Sequence, residues 1–362
     1  MRRSLAVALA LAALCAQAQD LVGFSEDEKA RILSHGPWPP NARHDPTNRV
    51  SGKPEAIALG ERLFFEPRLS GTGSVLCATC HAPFRAFQDG RARAFGLEEV
   101  ERNTPSLINV GQYRWYGWDG AHDSLWSQSV RPMLDPREMR ATPAQVATVM
   151  RTRYARDYAR AFGRSVPQDD EETLVDVGKA LAAYQETLVS GRTPFDDFRD
   201  ALERGDALAA ARYPTAAQRG LALFVGKANC SACHAGPHFS NGEFAHSGLP
   251  PATGTAPADS GRLGGVRRLK ASPYNLLSRF NDDRSKASAA ITREAEPQER
   301  SIGEFRVPGL RNVALTAPYM HDGSVASLRD AVSHHAKPAL STREREDLVV
   351  FLRSLTETSQ LR

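Results

Sequence analysis

The chain has 362 residues, 41% hydrophobic and 24% charged, a size that suggests two domains rather than one. Its 46 basic residues exceed its 42 acidic ones by a formal +4, which gives no ground for a nucleic-acid partner.

Residues 1–18 read as a signal peptide. Arg2 and Arg3 precede the apolar run Leu5 to Leu14, and Ala16-Gln17-Ala18 supplies an Ala-x-Ala cleavage site. The run is too short to span a bilayer and no later segment looks transmembrane, so a periplasmic protein starting near Gln19 is expected. Cys15 should leave with the leader. Losing Arg2 and Arg3 takes the basic count from 46 to 44 against 42 acids, so +4 becomes +2.

Pro54 to Glu66 is expected to be helical, with Pro54 at a first helical position and Ile57, Leu59, Leu63 and Phe64 on the apolar side. Cys77-Ala78-Thr79-Cys80-His81 follows. Thr142 to Gln145 has the pattern of a capping box and opens a helix carrying Val146, Val149 and Met150. Leu174, Val177, Leu181, Tyr184 and Leu188 recur at helical spacing. A domain junction is expected within 191–213, dividing the mature chain into 19–200 and 201–362. Thr215 starts a helix that leads to Cys230-Ser231-Ala232-Cys233-His234. Residues 236–300, rich in Gly, Ser, Ala, Pro and Arg, are expected to be a long irregular segment over the second motif. Ser341 with Glu344 caps a last helix carrying Leu348, Leu352 and Leu355. No strand alternation of any length occurs, and no repeat is evident beyond the two cysteine motifs.

Those motifs consume every cysteine outside the leader. Each Cys-x-x-Cys-His reads as a covalent c-type haem attachment, with two thioethers fixing the porphyrin and the His as proximal iron ligand. The two trailing histidines tell against zinc or a redox dithiol. Two haems add about four carboxylate charges, which leaves the holoprotein near neutral or slightly acidic. The expected fold is mostly α: two cytochrome-c-like helical domains, each with one covalent haem, and long irregular loops.

Further stretches carry a resemblance: Leu59 to Phe65, Arg102-Asn103-Thr104-Pro105, Trp118-Asp119-Gly120, Val307 to Val313, and Leu315 to Tyr319. With both haem motifs they resemble the bacterial di-haem cytochrome c peroxidase family, which includes MauG-type enzymes. The resemblance implies haems packed across a domain interface and hydrogen peroxide as oxidant. An open sixth position on a haem allows peroxide to react; a filled one favours electron transfer. In well-studied members a His soon after the first motif often blocks the first haem. No His occurs here between His81 and His122, and His122 does not match the blocking position. A five-coordinate or water-bound first haem is therefore expected.

Cleaving peroxide moves a proton between its oxygens, which a carboxyl group raised by burial in a dry pocket can do. By motif match Glu138 resembles the family's catalytic glutamate, and Gln128 and Pro132 its other distal residues. Read alone, Glu138 is an ordinary acid ahead of the Thr142 helix. Trp118 matches the tryptophan between the haems, and also reads as a core aromatic; Trp115 and Trp126 are nearby. The family binds calcium between its domains, which by match would use the Asn103 side chain and the carbonyls of Thr316 and Pro318.

At the second haem the resemblance places His335 where the peroxidases carry Met and MauG carries Tyr. His334 is the close alternative and Met320 the only nearby Met; His321 matches a His near the interface. Imidazole on both faces lowers a haem potential relative to thioether ligation. Three functions are open. The first is a peroxidase, with electrons relayed through Trp118 from a small cytochrome c or cupredoxin. The second is a MauG-like oxidase that uses a bis-Fe(IV) state to oxidise a protein partner. The third is a di-haem electron carrier, against which the open first haem and the Gln128–Glu138 pair argue. By resemblance a homodimer is also allowed.

Overall fold

The computed structural model describes residues 22–41, 44–249, 259–335 and 340–357, so the expected signal peptide lies outside the described residues. Eleven of its helices matter here: α1 Glu26–Leu33, α2 Pro54–Phe64, α3 Leu125–Leu134, α4 Pro143–Arg153, α5 Ala155–Phe162, α6 Asp170–Gln185, α7 Pro194–Glu203, α8 Thr215–Val225, α9 Gly261–Ala271, α10 Leu328–His335 and α11 Thr342–Arg353. Two short strands, β1 Phe244–His246 and β2 Glu304–Arg306, pair antiparallel, with Ala245 opposite Phe305. The fold is mostly α.

Local chemistry sets the helix ends. Pro54 stands in the first turn of α2, and the helix stops at Phe64, before Pro67. Capping boxes start α4 at Thr142 with Gln145, and α11 at Ser341 with Glu344. Asp169 caps α6, which is buried on nearly every side. α6 ends at Gln185, short of Leu188, and α8 ends at Val225, ahead of Cys230.

Two hydrophobic cores form. The first gathers Leu59, Leu63, Trp126, Val130, Met150, Leu174 and Leu181; the second gathers Phe195, Phe198, Leu221, Phe224, Phe239, Leu348 and Phe351. They do not divide the chain at residue 200. Phe24 and Ile32 of the N-terminal segment belong to the second core, and a cut at 200 passes through α7. Nor is 236–300 one irregular cover for the second motif. It contains β1 and α9, and then returns Leu276 and Ala289 to the first core. Leu263, Val266 and Leu269 supply the buried face of α9, a helical spacing obscured by Gly264, Gly265 and the arginines around them.

The halves repeat one frame, contrary to the expectation of no repeat beyond the cysteine motifs, and the sequence carries it too: Pro105, Leu107, Asn109, Val110 and Tyr116 recur as Pro308, Leu310, Asn312, Val313 and Tyr319. Gly60 of α2 packs on the Ala180 carbonyl and Gly220 of α8 on that of Asp347. Phe87 and Phe239 are both left-handed, at φ 57° and 55°. Asn109 and Asn312 are too, at φ 64° and 61°, and each starts a single 3-10 turn. Tyr116 then bridges His122 as Tyr319 bridges Val325, with Gly120 and Gly323 both at φ 65° between them. α3 and α10 follow. One constant separation along the chain pairs Leu107 with Leu310, Trp118 with His321, Gln128 with Ala331 and Pro132 with His335.

The glycine crossing gives a test. A Cβ on Gly220 would stand 2.0 Å from the Asp347 carbonyl oxygen and 2.8 Å from Phe351 Cβ. Gly220→Ala should cost about 1–3 kcal/mol of stability by overpacking. Gly23→Ala, with nothing within 4 Å, should cost nothing measurable in the same denaturant titration.

Candidate haem centres

His81 follows the single helical turn Cys77–Cys80, and its Nδ1 lies 3.0 Å from the carbonyl of left-handed Phe87. That contact fixes the tautomer with Nδ1–H donating and leaves Nε2 for a metal. Burial lowers the His81 pKa, favouring the neutral, ligating imidazole. Burial also pushes the Cys77 and Cys80 thiols up to about 12, the reverse of what a redox dithiol needs.

The three motif side chains line a cavity of about 820 Å³, and Trp118, Gln128, Pro132 and Glu138 line it too. Gln128 and Pro132 share one face of α3, one turn apart. The Gln128 Oε1 is buried without a partner among the described residues, so an O–H entering the cavity would find a waiting acceptor. Proline presents no metal-binding atom. Glu138 does not lie in an apolar surround: its carboxylate meets Arg131 Nη1 at 2.5 Å. An ion pair, in place of the expected dry pocket, holds this carboxylate, and it must open before the group can meet a ligand in the cavity.

His122, set aside in the sequence, also lines the cavity. Its Nδ1 contacts Ser127 Oγ at 3.1 Å, and burial takes its pKa down to about 4, so it is neutral. His321 lines the cavity as well and stacks on Phe305 at 3.6 Å.

In the second half the His234 Nδ1 lies 3.1 Å from the Phe239 carbonyl and 3.2 Å from that of Pro308. Burial brings the His234 pKa down to about 4. The His335 ring centre stands 6.3 Å from that of His234, with the planes 58° apart. Two imidazoles on opposite sides of one metal, at about 2 Å per bond, have ring centres about 6 Å apart. The neighbouring His334 turns elsewhere: its Nε2 is buried without a partner among the described residues, and a Cβ on Gly248 would stand 3.6 Å from it. Met320 sits in the Tyr319–Val325 turn, left-handed at φ 72°.

Trp118 ties the halves together. Its Nε1–H donates to the Asn103 carbonyl at 2.9 Å, and its own carbonyl accepts from the β2 residue Arg306 at 2.7 Å. The Asn103 N–H donates to the His321 carbonyl at 2.8 Å. Next to Trp118, Asp119 is buried against Arg102 and Arg268. Burial would raise its carboxyl, but the two guanidiniums hold it down at about 2. Arg102 reaches on to Asp259 at 2.8 Å. Of the residues expected at a calcium site, Asn103 lines the cavity and its Nδ2 donates to the Arg91 carbonyl at 2.7 Å. Thr316 and Pro318 flank the Ala317 carbonyl, which receives Gln88 Nε2 at 3.5 Å.

Comparisons with known proteins agree with these features. Residues 54–204 match a family model described as di-haem cytochrome c peroxidase. The chain is 35% identical to the methylamine utilization protein MauG of Methylorubrum extorquens, covering 91% of this chain and 86% of that one. It is 33% identical to the cytochrome-c peroxidase IdrP1 of Denitromonas iodatirespirans, covering 99% and 94%. The crystal structure of the diheme peroxidase BthA from Burkholderia thailandensis superposes with a TM-score of 0.67 at 25% identity, over 88% of each chain.

Replacing Cys77 and Cys80 together by Ala should leave one covalently held haem where the unaltered protein carries two. Haem stain after denaturing electrophoresis, with a pyridine haemochrome count, reads this directly.

Proposed function

The chain belongs to the di-haem cytochrome c peroxidase family, and from that premise we propose that it is a periplasmic peroxidase that reduces hydrogen peroxide in the His81 cavity. The observation that carries the reading is the convergence of Cys77, Cys80, His81, Trp118, Gln128, Pro132 and Glu138 on one cavity. A c-type haem bound there supplies the iron through which electrons reach peroxide. The Gln128 Oε1 accepts a hydrogen bond from the oxidant and orients it. Pro132 leaves that face free of a side-chain ligand. Glu138, released from Arg131, carries the proton from one peroxide oxygen to the other. Trp118, bonded to both halves, relays electrons from the His234 side, where a small cytochrome c or cupredoxin delivers them. Among the described residues no helix is long and apolar enough to cross a membrane.

At the second centre His335 is the proposed partner of His234 on iron, supported by the ring separation of 6.3 Å. That feature favours a second reading. Two imidazoles lower a haem potential relative to a thioether, and a low-potential haem shares oxidising equivalents with its neighbour more readily than it takes electrons from a donor. The protein would then act as a MauG-like oxidase of a protein partner. Calcium is proposed near Asn103, Thr316 and Pro318, where amide and carbonyl oxygens suit a hard cation.

Steady-state peroxide turnover with reduced cytochrome c or a small copper protein separates the two readings: fast turnover supports the peroxidase, slow turnover with a long-lived oxidised state the oxidase. Glu138→Gln should lower turnover by about 10² to 10⁴, and near-normal turnover would remove Glu138 from the mechanism. The ferric holoprotein should show a high-spin component in its electron paramagnetic resonance spectrum. His335→Met should raise the potential of the second haem, measured by spectroelectrochemical titration, and an unchanged potential would exclude His335 as its ligand.

A further inference from the structure

The chain has four tryptophans, and their surroundings differ in charge. The Arg311 guanidinium lies 3.8 Å from the Trp38 ring centre, and that of Arg262 lies 4.2 Å from Trp115. The Lys179 ammonium is 5.5 Å from Trp126. No cation stands over Trp118 among the described residues. Its Nε1–H instead meets the negative end of the Asn103 carbonyl.

A cation over a neutral indole is attracted by the electrons of the ring. Once the ring loses an electron, the same cation faces a positive charge at about 4 Å and repels it, strongly so in a buried, low-dielectric setting. Each guanidinium or ammonium therefore makes its indole harder to oxidise. Arg311 and Lys179 are partly offset by carboxylates, Asp196 at 2.8 Å and Asp282 at 2.6 Å. Arg262 has no carboxylate ion pair among the described residues. It is clamped between Trp115 and Phe244, whose ring centre is 4.1 Å away, and its Nη1 donates to the Gly120 carbonyl at 2.8 Å. Burial draws its pKa down to about 10, which still leaves it charged at neutral pH. Trp115 and Trp118 sit in one short loop; Trp118 lines the His81 cavity while Trp115 packs on Phe244, and the difference in charge acts in the same direction as that placement.

We propose that Arg262 holds Trp115 in its reduced form and so makes Trp118 the indole that gives up an electron, with Arg311 and Lys179 screening Trp38 and Trp126 in the same manner. The inference deepens the relay role given to Trp118 above and rests on it. Reduction of one hydrogen peroxide to two waters takes two electrons and two protons. When no external donor supplies them, the Trp118 indole would give one electron and the haems held by His81 and His234 would supply the other, with solvent supplying the protons. The oxidised indole keeps its Nε1 proton, because its partner is a carbonyl oxygen. Arg262 touches no reacting atom and is a positioning residue in the electrostatic sense: it selects which ring reacts.

The test adds peroxide to the holoprotein without an electron donor, in aerobic buffer, records the indole-radical signal by electron paramagnetic resonance, and maps oxygen addition at each tryptophan by peptide mass spectrometry. The unaltered protein should be modified chiefly at Trp118. Arg262→Gln, which retains a donor for the Gly120 carbonyl, should raise Trp115 modification about tenfold or more. Arg262→Lys, which retains the charge, should stay near the unaltered level. Trp115→Phe should leave the indole-radical signal and the Trp118 product unchanged, a result that does not depend on Arg262→Gln folding. Equal modification of Trp115 and Trp118 in the unaltered protein, no rise in Arg262→Gln, or loss of the radical signal in Trp115→Phe would each overturn the inference. No modification of any tryptophan in the unaltered protein would instead refute the Trp118 relay itself.

Discussion

Each half of the molecule is organised around one contact, the approach of an axial-type histidine Nδ1 to a backbone carbonyl of a left-handed phenylalanine. His81 meets Phe87 at 3.0 Å and His234 meets Phe239 at 3.1 Å. A ring nitrogen committed to the backbone fixes both tautomer and plane, and the other nitrogen is then aimed by the chain rather than by the metal. The phenylalanines must leave the usual backbone region to offer those carbonyls, an uncommon state for a bulky residue. The surrounding core keeps them there: Phe239 is fully buried against Phe195, Phe224 and His35, and Phe87 packs on Phe64. The core and the metal-facing geometry are thus one arrangement.

Much of this was legible in residue order, because the signals were local. Prolines, capping boxes and apolar spacing locate α2, α4 and α11 to within a residue or two, and the Cys-x-x-Cys-His motifs announce the attachment points. The duplicated frame is also written in the residues, but thinly: identical positions such as Tyr116 and Tyr319, or Gly120 and Gly323, are scattered among unlike ones, and the shared backbone conformation makes the repeat plain. Asn109 and Asn312 share a left-handed turn inside a repeated Pro-x-Leu-x-Asn-Val, and Gly60 and Gly220 share a helix crossing inside a repeated Gly-x-x-Leu-Phe. The path of 236–300 was missed for a related reason. Glycine and arginine content suggested a loop, while three apolar residues at helical spacing decided α9. Ion pairs that are distant in sequence, such as Arg102 with Asp259 or Arg311 with Asp196, leave no local trace at all.

The interface between the halves is polar and charged to a degree that burial makes costly unless every charge is matched. Asp119 is the centre of that matching. Two guanidiniums overcome the desolvation of its carboxylate, and Arg102 passes the network on to Asp259. The backbone of the same loop carries Trp118 and accepts hydrogen bonds from Arg262 and Arg306. A tryptophan placed on such a frame has little freedom to shift, and the charges around it are fixed with it. Electrostatic selection among neighbouring indoles needs that rigidity, since a guanidinium that wandered would screen no ring consistently.

Duplication also sharpens the difference between the two centres. With the halves in register, Pro132 on α3 and His335 on α10 fall at equivalent positions, and so do Trp118 and His321. One frame therefore offers proline at the position where its copy offers imidazole. Proline cannot ligate a metal; a histidine whose ring centre stands 6.3 Å from that of His234 is spaced to do so. The separation of roles proposed above requires no new architecture, only unlike side chains at one duplicated site. On the proposed reading an open centre and a closed one follow from that exchange, and Trp118, with no cation over its ring among the described residues, occupies in one half the position that His321 holds in the other.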